Sequence, residues 1–209
     1  MVIKSKVSSD GYIKFNCSLM KGTPPKESDI KDLNLWRTKL FDVGLIGMYD
    51  NGVGFGNISK RSSKGFIISG TATGHARILV PDQYVEVTKY SLEKNSLECV
   101  GRVNASSESL THAAIYKALP ETNAVIHVHS LEAWSALLNK VPTTRDVPYG
   151  TPEMAREMMR LIKEGNAAKD KIIVMAGHKE GIISFGADLE DAGNALLANV
   201  GNVLGIKRL

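Results

Sequence analysis

Apolar residues along the chain change period several times, and each change marks an element. Ile30, Leu33, Leu35, Trp36, Leu40 and Phe41 recur at near-helical spacing and predict a helix over 27–45, ended by Gly44 and Gly47. A short strand over 12–19 precedes it, set apart by Lys21-Gly-Thr-Pro-Pro-Lys26. From about 52 to 103 the pattern becomes β-rich, with strands over 66–69, 84–88 and 97–100 bounded by Gly, Pro, Asn or Ser. Ser106 or Ser107 then caps a helix to about 119, closed by Pro120. A strand over 124–130 and a helix over 131–139 follow. Thr151-Pro152 opens a helix over 153–164, because proline suits the first helical turn. Strands over 171–175 and 181–185 come next, and Asp188 caps a final helix to about 204. Helices between and beyond strands predict a layered α/β architecture. With no internal repeat or long linker, one domain is expected over 1–209, with 1–26 as an N-terminal strand and linker extension.

Composition narrows the class. Of 209 residues, 43% are hydrophobic and 23% charged, which is enough to bury a core and excludes disorder, collagen-like structure and coiled coil. Aromatics at 6% make that core mostly aliphatic. No apolar run reaches 18 residues, so no membrane span is expected, and the start Met1-Val-Ile-Lys lacks the apolar stretch of a secretory signal. The two cysteines, Cys17 and Cys99, make neither a disulfide framework nor a CxxC pair. A reduced, cytoplasmic protein is the expectation. The net charge of +4 suits nucleic acid or phosphorylated metabolites. The basic residues are scattered, without blocks or interleaved aromatics, so no nucleic-acid partner is expected.

The candidate chemistry lies in five histidines, His75, His112, His127, His129 and His178. Residues two apart on a strand share a face, which puts the Cα atoms of His127 and His129 about 6.6 Å apart on one side. Two imidazoles so placed can converge on one cation. An isolated His-X-His is more often two polar residues on a sheet face. His178, in the glycine-flanked turn Gly177-His-Lys-Glu-Gly181, supplies a third ring from a separate part of the chain. His112 lies inside a helix and is expected to pack or hydrogen-bond, and His75 to occupy an exposed loop. Ser106-Ser107-Glu108 opens that helix, where unsatisfied backbone N–H groups and hydroxyls attract anions. Residues 54–61 and 69–74 are small-residue stretches, turns between strands whose donors can lie against a phosphate.

Taken in order, these pieces resemble the class II aldolase/adducin family. The matching elements are Gly56-Asn57-Ile58-Ser59 with Arg61, Thr73-Gly74, Ser106-Ser107-Glu108 followed by His112 and Tyr116, His127-Val-His129, and His178. The resemblance covers roughly residue 33 to the end of the chain. It implies a three-layer α/β/α domain with a central, largely antiparallel sheet. It further implies that His127, His129 and His178 hold one zinc ion, or another divalent metal, per subunit. Glu108 is then a fourth, displaceable ligand or the acid/base. Gly56, Asn57, Thr73, Gly74, Ser106 and Ser107 hold the phosphate of a small phosphorylated or acidic metabolite. The implied reaction is C–C bond cleavage or formation by an aldolase-type lyase through a metal-stabilised enediolate. Epimerases, dehydratases, decarboxylases and the non-catalytic adducin-like scaffold belong to the same family. A homotetramer is the family expectation.

Two stretches depart from the family pattern. Lys179-Glu180 intervene between His178 and Gly181 where glycine typically follows the histidine, so that turn must differ. The segment from His129 to Tyr149 is short, and the role of the family tyrosine that acts across a subunit interface is not carried over to Tyr149.

Overall fold

The computed structural model describes residues 13–207. In chain order the elements are β1 (Asn16–Lys21), α1 (Glu27–Asp42), β2 (Gly47–Met48), β3 (Gly54–Phe55), β4 (Asn57–Ser62) and β5 (Gly65–Ser69). Next come β6 (Tyr84–Ser91), β7 (Ser96–Gly101), α2 (Ser109–Ala118), β8 (Ala124–His129), α3 (Leu131–Leu137) and α4 (Pro152–Glu164). The chain ends with α5 (Ala167–Asp170), β9 (Ile172–Val174), β10 (Gly181–Gly186), α6 (Leu189–Leu196) and α7 (Asn202–Leu204). Eight strands form one sheet in the order β1-β7-β6-β5-β4-β8-β10-β9, and β2 and β3 make a separate hairpin. Every pairing in the large sheet is antiparallel except β1 with β7.

Alternation along the central strands sorts the two faces. Ala124, Ile126 and Val128 of β8 pack with Ile30, Leu33 and Trp36 of α1 and Leu189, Ala192 and Leu196 of α6. Val125 faces the other way, with Leu110, Ala114 and Ile115 of α2 and Met154, Met158 and Leu161 of α4. Helices therefore cover both faces of a mostly antiparallel sheet, the three-layer α/β/α arrangement. His127 and His129 share the side of Val125, because the period of the strand carries them there.

Several expected boundaries shift for local reasons. The helix at 27–45 ends at Asp42, and Gly44 at φ 73° turns the chain so that Leu45 N–H donates to the Leu40 carbonyl. The N-terminal strand runs Asn16–Lys21 rather than 12–19, and Tyr12 lies outside the described residues. Neither Ser106 nor Ser107 caps α2: Glu108 occupies the cap position, and both the N–H and hydroxyl of Ser109 bond to the Ser106 carbonyl. Asp188 does cap the last helix, accepting from Asp191 N–H, but a π-helical turn over Leu197–Gly201 interrupts it.

The larger correction concerns 54–61, which is not simply a turn. Asn57–Ser62 is a central strand between β5 and β8. Ile58 is its single large buried apolar residue, while Ser59 is buried through hydrogen bonds to His112 Nδ1 (2.7 Å) and the Tyr116 hydroxyl (2.8 Å). A strand buried by polar contacts leaves little hydrophobic period to read.

A candidate metal centre at the head of a polar cleft

β8 delivers His127 and His129 side by side, and the turn between β9 and β10 delivers His178. That turn is closed on itself: Met175 N–H donates to the Gly181 carbonyl, His178 N–H to Met175, and Gly181 N–H to His178. Gly177 is required within it, because a Cβ there would lie 2.0 Å from the Val147 carbonyl oxygen. The three rings converge, with one ligand nitrogen from each within 4.8 Å of the others. His127 Nε2 and His129 Nε2 are 3.0 Å apart. Glu108 completes the group, its Oε1 3.4 Å from His178 Nδ1 and its Oε2 accepting from the Thr111 hydroxyl at 2.6 Å. All four side chains are almost fully enclosed, with exposures of 1, 5, 5 and 2% for His127, His129, His178 and Glu108.

The protonation pattern suits a cation. His127 Nδ1 lies 3.1 Å from the Ile182 carbonyl, which can only accept, so the ring carries its proton on Nδ1. Its Nε2 lone pair therefore faces the other imidazoles. Burial, followed by His129, His178 and His112, holds the His127 pKa well below 6.5, and the Ile182 carbonyl only partly offsets this. A ring kept neutral with its lone pair directed inward is suited to hold a metal ion rather than to pair with a carboxylate. Three imidazoles form a donor set that fits zinc, with the fourth position left to the neighbouring carboxylate or to a substrate.

The centre forms one end of a cleft of about 430 Å³, open at its mouth to solvent. All ten candidate residues from the sequence line it: Gly56, Asn57, Thr73, Gly74, Ser106, Ser107, Glu108, His127, His129 and His178. Asn57 pairs with His127 across β4 and β8, and its Oδ1 has no hydrogen-bond partner among the described residues. Gly74 allows a close approach of two loops, since a Cβ there would meet the Gly47 carbonyl oxygen at 2.2 Å and the Gly54 Cα at 2.6 Å. His75 is exposed on its loop, and His112 is buried against Ser59.

Arg37, Tyr49, Tyr149 and Glu180, which brace the site, were not legible as such in the sequence. Arg37 of α1 is fully buried and donates to the carbonyls of Thr73 (2.8 Å) and Ala76 (3.0 and 2.7 Å). Drawing the Thr73 carbonyl toward Arg37 aims the Gly74 N–H of the same trans peptide away from the guanidinium. Tyr149 stacks on His178 with ring centroids 4.4 Å apart, and Lys14 Nζ lies 3.5 Å from its ring centre. Tyr49 places its hydroxyl 2.8 Å from His129 Nδ1 and donates to Glu180 Oε2 at 2.6 Å. No spacing rule connects these positions to the histidines.

The fold and this cleft identify the chain: it belongs to the class II aldolase and adducin N-terminal domain family, whose model matches residues 49–199. It is 30% identical over 152 residues to a 5-methylthioribulose-1-phosphate/5-deoxyribulose-1-phosphate aldolase of Escherichia coli, covering 65% of each chain. It is 29% identical over 142 residues to a 3-oxo-tetronate 4-phosphate decarboxylase of Haemophilus influenzae, covering 56% of this chain and 64% of that one. The chain thus spans about 65% of the length of the first of these curated relatives. The solved L-fuculose-1-phosphate aldolase of Thermus thermophilus shares the fold, with a TM-score of 0.58, 21% identity, and coverage of 87% of this chain and 90% of that one. Among the described residues no helix is long and apolar enough to cross a membrane.

Proposed function

We propose that the protein is a zinc-dependent aldolase-type lyase that cleaves or forms a C–C bond in a small phosphorylated, sugar-like substrate. The observation that carries this reading is the convergence of His127, His129 and His178 beside Glu108 at the end of a polar cleft. A divalent ion held by the three imidazoles supplies Lewis acidity toward substrate oxygens. Glu108 moves the proton: the Thr111 hydroxyl holds Oε2 and fixes the carboxylate, with Oε1 toward His178. Along the same cleft Asn57, Ser106 and Ser107 offer amide and hydroxyl groups to an anion, and the Thr73-Gly74 loop, braced by the Thr73 hydroxyl on the Gly70 carbonyl, offers the Gly74 N–H. The four side chains at the centre are themselves almost fully enclosed, which strengthens their electrostatic interactions with a bound substrate. A homotetrameric, cytoplasmic enzyme built on one domain per chain completes the reading.

The Escherichia coli relative, named for ketose 1-phosphates, supports the choice of aldolase. The Haemophilus influenzae relative favours a second reading, decarboxylation of a phosphorylated 3-oxo acid, in which the same groups stabilise the same kind of charge. An aldol-cleavage screen over ketose 1-phosphates, with and without chelator, tests the first reading, and carbon dioxide release from phosphorylated 3-oxo acids tests the second. Metal-dependent aldehyde release is the expected result. Turnover indifferent to chelator discards the metal mechanism, and metal-free protein of undiminished stability points instead to a binding scaffold.

A further inference from the structure

Glu180 occupies a conformation that asks for an explanation. Its φ is 72°, in the left-handed region that a side chain with a Cβ adopts only at some energetic cost. It lies in the β9–β10 turn, two residues after His178, where glycine would relieve the strain. Its carboxylate does not simply project into solvent. Oε2 accepts from the Tyr49 hydroxyl at 2.6 Å, and the same hydroxyl lies 2.8 Å from His129 Nδ1. Tyr49 is held in place by the hairpin that carries it: its N–H donates to the Val53 carbonyl, and its ring packs on Phe55 with centroids 4.5 Å apart. The Phe55 ring in turn lies 5.6 Å from that of His129.

The hydrogen-bond polarity follows from the inventory of protons. A tyrosine hydroxyl has one proton, and a carboxylate offers only acceptors. With that proton given to Glu180, the phenolic oxygen accepts, so His129 must donate from Nδ1. The neutral ring then keeps its lone pair on Nε2, the atom 3.0 Å from His127 Nε2. His127 reaches the same state through the Ile182 carbonyl. Two lone pairs thus face each other across 3.0 Å, one arranged by the backbone and the other by a side-chain relay.

We propose that Glu180 and Tyr49 form a positioning relay that sets the tautomer and orientation of His129 for a divalent cation. The backbone strain at Glu180 is the structural counterpart of that role. This inference rests on the metal-centre reading above. Neither residue lines the cleft; both act through His129. Partners of this kind typically contribute 10–100-fold to metal affinity.

The test is zinc affinity, measured by competition with a chromophoric chelator, for the wild type, Tyr49→Phe, Glu180→Gln, Glu180→Gly and His127→Ala. Zinc binding in the wild type that His127→Ala abolishes establishes the centre itself; equal absence of zinc in both overturns the metal reading and the relay with it. Given a functioning centre, Glu180→Gln keeps an accepting amide oxygen and is expected to lose less, whereas Tyr49→Phe and Glu180→Gly are expected to bind zinc about 10–100-fold more weakly. Affinities within about threefold of the wild type in both Tyr49→Phe and Glu180→Gly overturn the relay and leave the centre standing. Glu180→Gly separates positioning from folding, because glycine accepts a positive φ: the metal-free variant should unfold at or above the wild-type midpoint while its zinc affinity falls. A parallel loss of both overturns the assignment. Nitrogen-15 spectra of the metal-free protein supply the direct signature. His129 is expected as the Nδ1–H tautomer in the wild type and displaced from it in Tyr49→Phe, and an unchanged His129 pattern counts against the relay.

Discussion

His112 and His127 are both buried, and both stay neutral for the same first reason, yet they serve opposite ends. His112 lies inside α2 with Nδ1 2.7 Å from the Ser59 hydroxyl, and burial lowers its pKa to about 3. His127 is equally enclosed, but two further imidazoles and a carboxylate gather about it. Desolvation produces a neutral base in either place. Only convergence of several such bases turns neutrality into coordination. Around His112 the polar groups are a hydroxyl pair, Ser59 and Tyr116, which make a structural network between β4 and α2.

The sharpest way to break this contrast is to remove one ring from each environment. His127→Ala is expected to eliminate bound zinc, measured by elemental analysis, and to reduce turnover at least about 10³-fold, since catalytic sites of this kind need three protein ligands. His112→Gln should retain stoichiometric zinc; its loss there would erase the distinction. Next in size is Glu108→Gln, expected to lower kcat about 10²–10⁴-fold while the three imidazoles keep their ion, read by steady-state kinetics beside metal analysis.

A smaller effect separates the two histidines by pH. In the unfolded chain a histidine takes up its proton near 6.5, whereas folded His112 resists until about 3. The stability held by keeping it neutral is complete above pH 6.5 and declines as pH falls toward 3, by about 1.4 kcal/mol per pH unit. Urea unfolding of the metal-free protein between pH 7 and pH 5, roughly one to two units below that onset, should show a shallower decline in His112→Gln than in the wild type. His127 contributes a slope of the same sign, and bound zinc would preserve it, because the ion excludes the proton from the folded state and leaves the unfolded chain free to take it up.

The smallest expected effect lies in the Thr73-Gly74 loop of the cleft. Arg37→Met releases the Thr73 and Ala76 carbonyls and should weaken inhibition by inorganic phosphate about threefold to tenfold, as expected for losing hydrogen bonds worth about 1 kcal/mol each. An unchanged inhibition constant would show that the loop holds its shape without the guanidinium.

The strands with apolar, β-rich sequences, β5, β6, β7, β8 and β10, stand where the apolar pattern puts them. β4 escaped because Ser59 and Arg61 are held by polar contacts, and a strand buried by hydrogen bonds carries little hydrophobic signal. The ten cleft residues were legible through motif order and family resemblance. Arg37, Tyr49, Tyr149 and Glu180 were not, because each acts on a residue far away in the chain.

What the sequence determined by itself was local: a two-residue period that sets His127 and His129 on one face, a cap at Asp188, a break at Gly44. Backbone geometry alone enforces these, since neighbours in the chain have few conformations to choose from. Tertiary structure decided which distant groups meet: His178 with β8, Arg37 behind Thr73, and Glu180 reaching His129 through Tyr49. Those encounters depend on strand order and on helices packing over both faces, long-range choices made by burial across the whole molecule.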